Sequence, residues 1–181
     1  MKLKLAYYGN PVLRKKAVPI TEITNEIKML AADMEEVMNE KDGIGIAAPQ
    51  VNVSLAIFLT RVPYLKEGKK DENNEENWEK GEVRVFINPK ILNYSEWVDS
   101  FSEGCLSIPK LYGDVTRPTS IKVEATDLTG NRFTEDFSGL HARVIMHEND
   151  HLNGVLFIDR LDPKEKKLLE PKLREIKKNF N

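Results

Sequence analysis

The chain has 181 residues, 40% hydrophobic and 31% charged, with a formal net charge of −2. This composition excludes an intrinsically disordered chain and a globally basic nucleic-acid binder, and the length predicts one domain spanning residues 1–181. A single cysteine excludes an internal disulfide, and with no apolar leader and no run of about 18 apolar residues the chain is expected to be cytoplasmic, without a membrane span.

Residues 9–19, with Gly9, Pro11 and Pro19, read as an irregular entry segment. Thr24 is a predicted N-cap, after which Ile27, Leu30, Ala31, Met34, Val37 and Met38 recur at helical spacing to Asp42-Gly43. Gly43-Ile44-Gly45-Ile46-Ala47-Ala48-Pro49-Gln50 lacks the third glycine and the lysine of a phosphate loop. Its small residues permit close backbone approach, so it is expected to be an extended segment lining a cleft, with Gln50 as its polar group. Leu55 to Leu59 predicts a buried strand.

Residues 64–82 hold four lysines against seven acidic side chains, together with three asparagines. They are expected to form a mobile acidic insertion with Trp78 as a possible anchor. Val83 to Ile87 alternates as a strand that should stop at Asn88-Pro89, and Ile91 to Phe101 reads as a further strand pair. Ile121 to Thr126, a turn at Asp127 to Asn131, and Arg132 to Phe137 predict a hairpin. Leu140, Val144, Ile145 and Met146 then predict a helix closed at Asn153-Gly154. Val155 to Ile158 is expected to be a short strand. Asp162-Pro163 opens a terminal helical segment, 163–181, which Pro171 should kink or restart.

Two of the three histidines fall in His147-Glu148-Asn149-Asp150-His151. On a helix, positions i and i+4 share a face, so both rings can meet one ion while Glu148 reaches water beside it. Buried acids and histidines on such a helix also require partners. Two imidazoles do not complete a catalytic site, which usually takes three protein ligands and keeps one position open. Cys105, in Glu103-Gly104-Cys105-Leu106-Ser107, is the candidate third ligand, because thiolate binds zinc and ferrous iron strongly. Two alternatives stay open: a thermolysin-like peptidase using Glu170, and a non-catalytic module stabilised by a four-ligand metal. For the second, His141 lies about 120° off the ligand face.

Three stretches together resemble one family, the peptide deformylases: Gly43 to Gln50, Glu103 to Ser107, and His147 to His151. The resemblance covers roughly residues 5–160 and implies an α+β fold of mainly antiparallel sheets around a central metal-binding helix, with an N-terminal and a C-terminal helix. It implies hydrolysis of the N-formyl group from the initiator methionine of new polypeptides. The implied metal ligands are Cys105, His147 and His151. Glu148 is implied as general acid–base, and the Gln50 amide and Leu106 backbone N–H as donors to the oxyanion. Gly43, Ile44, Gly45, Gly104 and Val144 are expected to contact substrate, and Glu103 is expected to pair with Arg117 behind the cysteine loop. Tyr112 departs from relatives that carry a peptide-holding arginine there. The family implies one divalent ion per chain, Fe²⁺ physiologically, with Zn²⁺, Ni²⁺ or Co²⁺ as substitutes. The partners implied are N-formylmethionyl peptides. A ribosome contact through the C-terminal helix is expected too, since residues 161–181 carry seven basic against four acidic side chains.

Overall fold

A computed structural model describes residues 3–70 and 76–180. Among the described residues there are three α-helices: α1 (Asn25–Glu40), α2 (Gly139–Leu152) and α3 (Pro163–Phe180). The strands among the described residues are β1 (Gly45–Ala47), β2 (Ile57–Thr60), β3 (Tyr64–Lys70), β4 (Glu76–Glu79), β5 (Arg84–Tyr94), β6 (Val98–Cys105), β7 (Ile108–Pro118), β8 (Ser120–Thr126) and β9 (Arg132–Ser138). An antiparallel sheet has the order β1-β2-β5-β8-β9, and β3–β4 and β6–β7 form separate antiparallel pairs. The fold is α+β, as the sequence predicts.

The large sheet is covered on both faces. Phe58 and Phe86 point one way and meet Ala142, Ile145 and Met146 of α2. Ile57, Leu59 and Ile87 point the other way and meet Ala31, Met34 and Met38 of α1. The period-two alternation of a strand produces this split. It also explains why Ile57–Thr60 is buried at every position and reads as an unbroken apolar run. A third core joins β7, α3 and the N-terminal segment through Leu13, Ile108, Val115, Phe157 and Leu173.

Several local expectations need correction. β5 does not stop at Asn88-Pro89. Asn88 takes φ 49°, its side chain bonds the backbone N and O of Ile20 at 2.8 and 2.7 Å, and the register shifts between Ile87 and Lys90. The strand thus absorbs the proline at a bulge, and residues 91–94, expected to begin a new pair, belong to it. Within the expected insertion, residues 64–70 and 76–79 pair as antiparallel strands, with Lys66 bonded to Glu79 at 2.5 Å. Trp78 does not anchor it, being 55% exposed. Residues 71–75 of the expected insertion lie outside the described residues. The expected extended segment to Gln50 is a strand only to Ala47, after which Ala48–Val51 turns as a 3₁₀-helix.

Val155 to Ile158 is not a strand. Phe157–Asp159 forms a 3₁₀ turn, with Asp159 accepting from Leu156 N at 2.9 Å. The helix does not restart at Pro171, because α3 is one helix through that position. Proline removes one N–H there, while buried Leu173 and Ile176 tie the following turns to the core. The helix opens where Asp162 accepts from Lys164 N at 2.8 Å.

Candidate metal centre and cleft

α2 carries His147 and His151 on one face, with ring centroids 5.1 Å apart. Cys105 arrives from a different element, the end of β6, where a two-residue turn leads into β7 and Cys105 pairs with Ile108. Tyr8 N pins that turn by donating to Ser107 O at 2.8 Å. The candidate ligand atoms of Cys105, His147 and His151 lie within 4.8 Å of one another, and Cys105 Sγ is 3.2 Å from His151 Nε2.

His147 Nδ1 donates to Glu103 Oε2 at 3.0 Å, which leaves its Nε2 for the cluster. A carboxylate behind a ligating imidazole fixes the tautomer and the ring orientation. Burial alone would lower the His147 pKa, but hydrogen bonds with Cys105 and Glu103 overcome it and hold the ring well above its ordinary value. Groups that favour a proton on this ring favour a metal cation in the same place. Burial holds His151 well below the ordinary imidazole value, so it is neutral, as a ligand must be.

Glu148 is 4% exposed, and burial pushes its carboxyl up to about 7. Its Oε2 has no hydrogen-bond partner among the described residues, nor has His151 Nδ1. Unmet buried polar atoms cost about 1–3 kcal/mol each, so an acid left open beside one sulfur and two nitrogens fits a site that takes an ion and water. The donor set, soft thiolate with two imidazoles, suits zinc or ferrous iron.

Gln50 approaches from the opposite wall. Its Oε1 accepts from Ala47 N at 2.8 Å, and its Nε2 donates to Cys105 Sγ at 3.5 Å. The backbone bond fixes which way the amide faces, so the NH₂ group points toward the cluster. A cleft of about 570 Å³ opens over these groups and is lined by Gly43, Ile44, Gly45, Gly104, Leu106 and Val144, among others. Gly45 is needed for space. A Cβ there would lie 2.5 Å from Glu148 Oε1 and 2.9 Å from Val144 Cγ1. Tyr112 packs its ring over Gly104, where a Cβ would sit 2.7 Å from it, and is otherwise exposed.

Glu103 and Arg117 pair as expected, at 2.6 and 2.9 Å. The sequence did not reveal how far the network extends. Arg143 also donates to Glu103, at 2.8 Å. Asp150 accepts from Arg117 at 3.0 Å and from Arg160 at 2.6 Å. Burial would raise the Glu103 pKa, but the bonds from Arg117 and His147 hold it down at about 2. The available signal was Arg143, four residues before His147 and so on its face of the helix. His141 is turned away, 3.2 Å from Thr60 Oγ1 and edge-on to Phe137. Glu170 pairs with Arg174 on the exposed face of α3 at 3.3 Å and is not part of the cluster.

Comparison with known proteins agrees with this geometry. The family model described as polypeptide deformylase matches residues 2–167. A peptide deformylase of Bradyrhizobium diazoefficiens is 46% identical over 149 residues, covering 82% of this chain and 81% of its own. The chloroplastic peptide deformylase 1B of Solanum lycopersicum is 39% identical over 98% of this chain, which spans 60% of the plant protein. Among solved structures, a peptide deformylase from Plasmodium falciparum superposes with a TM-score of 0.85 at 36% identity, covering 98% of this chain and 96% of that one. Peptide deformylase 1B from Arabidopsis thaliana gives 0.84 at 36% identity, covering 98% and 92%. The chain therefore belongs to the polypeptide deformylase family of hydrolases.

Proposed function

We propose that this chain removes the N-formyl group from N-terminal formyl-methionine and releases formate. The observation that carries the reading is the Cys105, His147 and His151 cluster beside buried Glu148, in a chain of this family. Cys105, His147 and His151 would hold one divalent ion, ferrous iron in our reading with zinc, nickel or cobalt as substitutes, and it supplies the Lewis acidity that makes water nucleophilic near neutral pH. Glu148 takes the proton from the attacking water and returns it to the departing amine nitrogen. The Gln50 NH₂ and the Leu106 backbone N–H donate to the oxygen that gains charge as the formyl carbon becomes tetrahedral. Ile44 and Val144 give the methionine side chain an apolar wall. Selectivity for formyl is steric in this reading: a hydrogen fits beside the metal where a methyl would collide. Glu103, Arg117 and Arg143 keep the cysteine turn and the His147 ring in register.

Gln50→Ala is expected to lower kcat by about 10²–10³-fold, since it deletes one oxyanion donor. Steady-state kinetics on formyl-Met-Ala-Ser check this, and an unchanged kcat removes Gln50 from that role. The ligand set is tested by elemental analysis of anaerobically purified variants. Cys105→Ala is expected to lose the metal, while Glu170→Ala retains one ion per chain. The reverse pattern would make this a thermolysin-like site and end the deformylase reading.

A further inference from the structure

A second groove, of about 360 Å³, lies between β7 and α3. Its walls are Leu111, Ile176 and Phe180, with Lys110, Lys172 and Glu175 as its charged groups. It adjoins the catalytic cleft, and Pro109, Lys110 and Leu111 line both. These three residues fall in the bulge where β7 pairing jumps from Ile108 opposite Cys105 to Tyr112 opposite Gly104. Lys110 takes φ 62° in that bulge, a left-handed conformation that the surrounding structure must hold in place.

Contacts outside the groove lining hold β7 near α3. Asp114 N donates to Glu165 on α3 at 3.0 Å, and Gly113 lies so close to Leu161 that a Cβ would be 2.7 Å from it. At the far end Phe180 stacks on Tyr7 with centroids 4.1 Å apart. Among the described residues Lys110 and Lys172 form no ion pair, so both ammonium groups are available to a ligand. Lys41, also exposed, stands at the mouth of the catalytic cleft.

We infer that this groove receives the stretch of substrate peptide downstream of the first three residues and favours acidic side chains there. The inference rests on the deformylase reading and adds to it a preference that the metal cluster cannot supply. An extended peptide advances about 3.3 Å per residue, so a chain anchored by its methionine in the cleft must leave along one wall. The wall through Pro109 to Leu111 is the one with a second groove beside it. The half-exposed Phe180 ring offers an apolar contact to that chain. Lys110 and Lys172 attract carboxylates, outnumbering Glu175.

The test compares kcat/KM at low ionic strength for formyl-Met-Ala-Ser and for two six-residue extensions of it, one ending in three aspartates and one in three lysines. The acidic peptide is expected to exceed the basic one by about two- to tenfold, the range for a few exposed charge contacts, through KM rather than kcat. About 0.5 M salt should collapse the difference. Lys172→Glu should reduce or invert the ratio. Because Lys172 is exposed at the surface of α3, this variant should fold, and thermal melting verifies it. Equal values for the two long peptides, with the tripeptide still deformylated, overturn the groove assignment and leave the deformylase reading standing. A ratio unmoved by both Lys172→Glu and Lys110→Glu also overturns it. If the tripeptide itself is not deformylated, the activity reading fails and the groove assignment falls with it.

Discussion

Glu148→Gln is expected to lower kcat by about 10²–10⁴-fold, the usual contribution of a positioned general acid–base, while the protein still binds one metal ion per chain. The substitution preserves volume, so Gly45 and Val144 keep their packing against the side chain. It removes the one group beside the cluster that can both accept and return a proton. In the fold Glu148 Oε2 has no partner among the described residues and burial raises its pKa. The neutral amide is therefore no harder to bury than the acid, and melting temperature should not fall. Stopped-flow or steady-state formate release, paired with metal content, checks this. A kcat within threefold of the parent would remove Glu148 from the proton transfer.

Arg117→Leu should destabilise the fold by about 3–5 kcal/mol, because breaking a buried ion pair strands its partners. Arg117 is 3% exposed and bridges Glu103 to Asp150. Arg143 and Arg160 remain with those carboxylates, so the chain should still fold. Glu103 then holds His147 less firmly, and metal affinity should drop by about 10–100-fold, the usual cost of losing support behind a ligand. Urea unfolding and competition with a chelator measure the two effects. Loss of stability with metal affinity unchanged would confine Arg117 to a structural role.

The lines of sequence that carry short-range chemistry were the legible ones. The His147–His151 spacing fixes a helix face, so α2 and its two rings follow from periodicity alone. The α1 stripe from Ala31 to Met38 and the β8–β9 hairpin around Asp127 were equally plain. There the Asp127 side chain accepts from Thr129 N and Asn131 N. Cys105 was identified by its chemistry, but its approach to His151 depends on β6–β7 pairing across a bulge, a long-range event. Arg143 and Arg160 were missed for the same reason. Their partners Glu103 and Asp150 lie 40 and 10 residues away, and each looks locally like an ordinary surface charge. Asn88-Pro89 misled because a proline penalises local structure, and the tertiary contacts of Asn88 with Ile20 outweigh it. Phe157–Asp159 misled differently, since an apolar run of that length fits strand or turn equally.

The central claim is that the chain hydrolyses a formyl amide at a Cys105, His147 and His151 centre. It is tested most directly by incubating anaerobically purified, metal-loaded protein with formyl-Met-Ala-Ser and, separately, acetyl-Met-Ala-Ser, then identifying every product. The account predicts formate and intact Met-Ala-Ser from the first, and no acetate from the second. Cleavage of the Met–Ala bond, or a stoichiometrically bound metal with no turnover of either peptide, would contradict it.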